Sequence, residues 1–132
     1  MHNNIINGSC LCGQVQFQVE LPSLWVAHCH CSLCRKAHGA GYVTWVGFDE
    51  EKFKCTQKIK KLKWYESSSG AQRGFCTECG STMFFKSTQW PKEIHITLAN
   101  LEDKLDKSPQ ANAYFSSHVE WMPIDETLKC LK

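Results

Sequence analysis

The chain has 132 residues, 42% of them apolar, and a formal net charge of +2. That length fits one domain, 1–132, with its core over about 8–128, and the composition is that of a globular chain and not a disordered one; the charge is too small to argue for nucleic acid by itself. No run of about 18 apolar residues is present to span a bilayer, and MHNNIINGSC lacks the basic-then-apolar order of a secretory signal, so the expectation is a cytoplasmic protein.

Gln14–Glu20 alternates: Val15, Phe17 and Val19 face one way, the glutamines and Glu20 the other, the pattern of a half-buried strand. Pro22 and Ser23 end it. Leu24–His28 reads as a second strand running into cysteines. Ser32–His38 suits one or two helical turns closed by Gly39 and Gly41. Tyr42–Val46 is rich in strand formers, and Gly47–Glu51 reads as a turn. From Lys52 to Lys63 lysines recur between apolar residues. A helix is conceivable there, but Trp64 and Tyr65 favour strand pairing. Ser67–Gly70 is a loop. Ala71–Phe75 and Thr82–Lys86 flank Cys76–Gly80 and predict a hairpin whose turn carries two cysteines, a zinc-knuckle arrangement. Ile94, Ile96 and Leu98 alternate with His95 and Thr97 as another strand, and Asn112–Phe115 predicts the last. Long helices are absent, so the fold class is mainly β.

Nine cysteines form the strongest signal in the composition. Their odd count, the missing signal and the C-x-C and C-x-x-C spacings fit a metal better than disulfides. Neighbouring thiolates converge on an ion, whereas cysteines one residue apart rarely reach disulfide geometry. Cys10, Cys12, Cys76 and Cys79 supply the four thiolates of a closed, structural zinc site, tying the first strand to the knuckle hairpin. Cys29, Cys31 and Cys34 are three, and three protein ligands leave a position open, as catalytic sites do. His30 could close that site, but residues adjacent to a ligand on an extended chain point the other way. Free reduced thiols without a second ion are the plainer alternative. Three thiolates make a poor activator of water and suit chemistry on a fourth, exogenous sulfur.

Gly8-Ser9-Cys10-Leu11-Cys12-Gly13-Gln14-Val15, Cys29-His30-Cys31-Ser32-Leu33-Cys34-Arg35 and Arg73-Gly74-Phe75-Cys76-Thr77-Glu78-Cys79-Gly80 resemble the glutathione-dependent formaldehyde-activating family, which also contains the centromere protein V domain. The likeness extends over about residues 8–128. It implies a compact zinc-stapled domain of several twisted antiparallel sheets with little helix. It also implies a structural zinc on Cys10, Cys12, Cys76 and Cys79, and a second, catalytic-type zinc on Cys29, Cys31 and Cys34. The activity it implies is a carbon–sulfur lyase reaction on glutathione or a related small thiol and its aldehyde adduct, of the S-hydroxymethylglutathione kind. A non-catalytic zinc module for protein or nucleic acid is the alternative class. Many members carry histidine where Asn112 stands, and often proline at Glu120, which bears on the shape of a substrate pocket.

Arg35 and Arg73 lie near ligands in sequence. Each could donate to thiolate sulfur, hold a substrate carboxylate, or simply face solvent. The lysine run reads as a solvated strand face or an anion-binding stripe. The five tryptophans read as core or rim packing, and Cys55 and Cys130 as unligated thiols.

Overall fold

The computed structural model describes residues 4–56 and 60–132. It contains eleven strands: β1 Ile5–Ser9, β2 Gln16–Glu20, β3 Trp25–Cys29, β4 Val43–Asp49, β5 Phe53–Cys55, β6 Leu62–Ser68, β7 Ala71–Cys76, β8 Thr82–Ser87, β9 Glu93–Thr97, β10 Ala111–Ala113 and β11 Lys129–Cys130. One α-helix, α1 Ser32–His38, and three short 3-10 turns complete the described structure. The predicted mainly β class with little helix is what forms.

Two sheets are built. A small one runs β1-β2-β5 and a large one runs β11-β10-β3-β4-β9-β8-β7-β6. Most neighbours are antiparallel, as expected, but β10 runs parallel to both β3 and β11. The β3–β10 pair arises because the chain after β9 crosses over residues 98–110 and returns beside β3, and the β10–β11 pair because residues 114–128 carry the chain back to run alongside β10. Two strands escape the sequence reading: β1, whose alternation is blurred by Asn7 and Gly8, and the two-residue β11. Ser67 and Ser68 belong to β6 rather than to a loop.

Period-two patterning decides what each face of the large sheet does. Val26, Val46, Phe48, Phe84, Ile94 and Ile96 point to one face. There they share a single buried cluster with Ile6, Val15, Phe17 and Val19, so the small sheet packs against that face. The Phe17 and Phe84 rings meet edge-on with centroids 5.0 Å apart. Full burial of each such side chain contributes about 1.5–3 kcal/mol. Gly8 is required here: a Cβ would lie 2.1 Å from the Phe17 ring.

The opposite face carries Trp25, Cys29, Val43, Trp45, Phe85 and His95, and Cys29, Cys34, Val43 and Trp45 form a second buried cluster. His95 and Thr97, which alternate with Ile94 and Ile96 along β9, are both buried as well. The sheet is therefore covered on both faces around its centre, and the Cys29 and Cys34 thiols lie on this second face. Gly47 makes room for it: it sits opposite Trp25 in register, and a Cβ there would come within 2.4 Å of the indole.

No helix among the described residues is long and apolar enough to cross a membrane. The lysine run divides between strands: Lys54 and Lys63 are exposed on β5 and β6, and Lys61 pairs with Glu78 at 2.6 Å. Lys58 lies outside the described residues.

Candidate metal centres and the adjoining pocket

Two turns bring the outer cysteines together. After β1, the Gly13 amide donates to the Cys10 carbonyl, and Gly13 takes φ +81°, a left-handed conformation that glycine adopts without strain. At the β7–β8 hairpin the Gly80 amide donates to the Cys76 carbonyl, and Gly80 has φ +78°. Each turn thus presents a cysteine pair on a tight, glycine-closed loop. The Leu11 amide donates to the Ser81 hydroxyl and joins the two turns directly.

The sulfurs of Cys10, Cys12, Cys76 and Cys79 all lie within 4.8 Å of one another. Cys10 and Cys12 are 3.7 Å apart, and Cys12 and Cys76 3.8 Å. Sulfurs placed tetrahedrally at about 2.3 Å from an ion stand about 3.8 Å apart, so the spacing fits a four-thiolate centre. The Val15 amide aims at the Cys10 sulfur from 3.3 Å, the kind of donor that supports a ligating thiolate.

Cys29, Cys31 and Cys34 form the second group, also within 4.8 Å of one another. Cys29 ends β3, Cys31 caps α1 and Cys34 lies in its first turns. The Cys29 thiol donates to the Cys34 sulfur over 3.4 Å. Arg73, on β7, is 6% exposed and directs Nη1 and Nη2 at the same sulfur from 3.7 and 3.6 Å. Among the described residues no carboxylate pairs with this guanidinium. Its counter-charge is the thiolate group. The Cys29 hydrogen bond, opposed by burial and assisted by the Arg73 charge, holds the Cys34 thiol down to about 6, while Cys29 itself is pushed up.

The histidines beside these cysteines face away from them. His28 Nδ1 lies 2.8 Å from the Thr44 hydroxyl. His30 is buried, with Nε2 2.9 Å from Asn112 Oδ1. Asn112 Nδ2 in turn donates to the Asp125 carbonyl, so its oxygen is the acceptor and Nε2 of His30 carries the proton. Asn112 does not line the pocket; it fixes His30 behind the cysteine loop. Arg35 donates to the His30 carbonyl rather than to sulfur, so of the two arginines Arg73 is the one that reaches a thiolate. Cys55 is partly buried and Cys130 exposed, and neither belongs to either group.

The three-cysteine group opens into a cavity of about 510 Å³. Trp25, Trp45, Phe85, Trp90 and Tyr114 are the aromatic members of its wall, with Arg73 and His95 as its charged or chargeable members beside the cysteines. Phe85 is central. Arg73 lies over its ring at 5.0 Å, His95 stacks on it at 5.7 Å, and Trp45 and Trp90 flank it. His95 Nε2 is held by Glu93 at 2.9 Å, and burial pulls its pKa below the ordinary value despite that carboxylate. Tyr114 is a non-glycine residue at φ +53°, and its phenol is pushed up by burial and by the charges of all three cysteines. His95 was legible only as a member of the alternation on β9, not as a pocket residue. Phe85 and Tyr114 carried no local signal.

A mainly β domain stapled by two thiolate groups, one closed and one opening on a pocket, defines a class: a cysteine-rich protein able to hold metal at a substrate-sized cavity. The chain belongs to the glutathione-dependent formaldehyde-activating enzyme family, whose sequence profile matches residues 5–117. A protein of Schizosaccharomyces pombe named as an uncharacterised lyase is 33% identical, covering 94% of this chain and 95% of the relative. A Halomonas elongata protein, named as a candidate glutathione-dependent formaldehyde-activating enzyme, is 26% identical over 92% of this chain and 82% of its own length. Among solved structures, a Rhodobacter sphaeroides protein superposes with a TM-score of 0.64 at 26% identity, covering 76% of this chain and 91% of that one.

Proposed function

We propose that this protein is a zinc-dependent carbon–sulfur lyase acting on an adduct of a thiol, glutathione or a related one, with an aldehyde. In this reading Cys10, Cys12, Cys76 and Cys79 hold a structural zinc, and Cys29, Cys31 and Cys34 hold the catalytic-type ion. The observation that carries it is the contrast between the two groups. Four converging sulfurs complete a tetrahedron, whereas three leave one place, and those three face the cavity. Names borne by the relatives, a lyase and a formaldehyde-activating enzyme, agree with this chemistry.

Zinc at the three-cysteine site would bind the thiol sulfur and lower its pKa, supplying a thiolate near neutral pH. Arg73 offsets the negative charge that three thiolates concentrate there, through two N–H groups aimed at Cys34. The aromatic side chains beside the cysteines lower the local polarity, which strengthens that pairing. In the adding direction sulfur bonds to the carbonyl carbon, the π pair moves to oxygen, and the proton lost by the thiol ends on that oxygen. In the lyase direction the carbon–sulfur bond breaks and the same proton returns to sulfur.

Cobalt substitution tests the reading. Sulfur-to-cobalt charge transfer reports the thiolates bound, so glutathione or another small thiol should raise the absorption of the dicobalt protein. S-methylglutathione should not. A spectrum unmoved by glutathione, cysteine and coenzyme A alike would refute thiol binding at this site.

A further inference from the structure

We infer that the cavity beside Cys29, Cys31 and Cys34 is built for an aromatic or branched apolar group attached within a bond or two of the reacting sulfur. This rests on the reading of that group as the thiol site, and it narrows the substrate class. The wall combines Trp25, Trp45, Phe85, Trp90, Tyr114 and Leu131. It continues without a break from the sulfurs outward: Trp25 and Phe85 pack on the Cys29–Cys34–Trp45 cluster, and Trp90 meets both Phe85, at 6.4 Å, and His95, at 5.4 Å. A ring next to sulfur would therefore meet ring faces and edges on several sides.

Charge argues the same way. Among the described residues lining the cavity there is no Asp, Glu or Lys. The two basic side chains are already engaged, Arg73 with Cys34 and His95 with Glu93. Glutathione carries two carboxylates and an ammonium, and the wall offers them neutral groups such as Ser68, Ser69 and Gln89 but no unengaged opposite charge, so their burial here is unfavourable. A one-carbon hydroxymethyl group would touch little of the wall. At about 510 Å³ the cavity falls in the range of sites that enclose whole small molecules. The apolar group can come from either side of the carbon–sulfur bond: from the aldehyde, with the charged ends of a peptide thiol left at the mouth, or from the thiol itself.

The test uses the zinc-loaded full chain and calorimetry with benzyl mercaptan, 2-mercaptoethanol and glutathione, beside the same thiols on the dicobalt protein. Benzyl mercaptan should bind roughly 10- to 100-fold tighter than either other thiol, the gain of burying one ring. Trp90→Ala and, separately, Phe85→Leu should shrink that preference while zinc content stays at the wild-type value. Glutathione with benzaldehyde, set against glutathione with formaldehyde, distinguishes the sources: an aldehyde-borne group predicts preference for benzaldehyde, and a thiol-borne group predicts preference for benzyl mercaptan alone. Thiols that shift the cobalt spectrum with no preference for a ring would overturn the inference and leave the thiol site standing. Benzyl methyl sulfide bound as tightly as benzyl mercaptan, with a cobalt spectrum no thiol perturbs, would keep the apolar pocket and remove the thiol site. Failure of every ring-bearing compound to bind would overturn the inference outright.

Discussion

Replacing Cys76 by serine is the sharpest test of the outer site, because the consequence can be worked from the fold. Cys76 is fully buried at the end of β7, and its sulfur lies 3.8 Å from that of Cys12, 64 positions earlier. A metal joining the two closes that length of chain. Cross-linking a loop of this size removes about 4 kcal/mol of unfolded-state entropy. The serine hydroxyl would also sit buried beside sulfurs too far away to satisfy it, costing about 1–3 kcal/mol. Together these come to about 5–7 kcal/mol, against total stabilities of about 5–15 kcal/mol for ordinary domains. At about 3–5 °C per kcal/mol for a chain of this size, Cys76→Ser should lower Tm by roughly 15 °C or more, or prevent soluble expression. Calorimetric melting with metal content measured on the same sample checks this. A variant that melts within about 3 °C of the parent and keeps its full complement of zinc would refute the four-cysteine assignment.

The middle group closes almost no loop, since Cys29 and Cys34 are five positions apart, so Cys31→Ser should fold, melt near the parent and bind one zinc fewer. Unfolding as severe as that of Cys76→Ser would mean that both groups are structural. With the outer site kept loaded and the three-cysteine site emptied, Arg73→Gln should move the pH midpoint of Cys34 alkylation upward from about 6, by about one unit or more, because losing the cation favours the protonated thiol. An unchanged midpoint would remove Arg73 as the counter-charge. His38 is held down to about 4 from 6.5, first by burial and then by Arg73. The unfolded chain therefore binds the proton first, and stability is lost as pH falls from 6.5 toward about 4. His38→Leu should lessen the acid loss of stability by at most about 2 kcal/mol at about pH 5, with ligand protonation common to both proteins. Equal acid profiles would show that His38 is not buried neutral.

The outer site was legible because its signals are local. Cys10-Leu11-Cys12-Gly13 and Cys76-Thr77-Glu78-Cys79-Gly80 each specify a turn, and the two turns bring their four sulfurs within 4.8 Å of one another, as thiolates able to share one ion would be placed. Helix α1 was legible to the residue, from Ser32 to the left-handed cap at Gly39. The pocket was not. Its wall is drawn from β3, β4, β7, β8, β9 and β10, strands whose order in the sheet departs from their order in the chain. Phe84 and Phe85 look alike in sequence, yet one fills the core between the sheets and the other faces Arg73. Only the sheet's register tells them apart. The alternation on β9 separated His95 from Ile94 and Ile96, but which covered face it entered depended on the distant crossover to β10.

The same register explains why three cysteines, and not a cysteine–histidine mixture, face the cavity. Along the extended segment ending β3, alternate residues take opposite sides: Cys29 and Cys31 go to the pocket, His28 and His30 to the back. Helix α1 then turns the chain so that Cys34 rejoins the first two sulfurs. What holds this loop is the pairing of β10 beside it, where the His30 amide donates to the Ala113 carbonyl and Asn112 takes the His30 ring. Asn112 can do so because its amide offers an acceptor to Nε2 and a donor to the Asp125 carbonyl at once. A neutral histidine at this position also has one donor and one acceptor, so the role survives that exchange. Residue 112 therefore acts on the cysteine loop from behind, whereas Phe85, Trp90 and Tyr114 line the cavity in front of it.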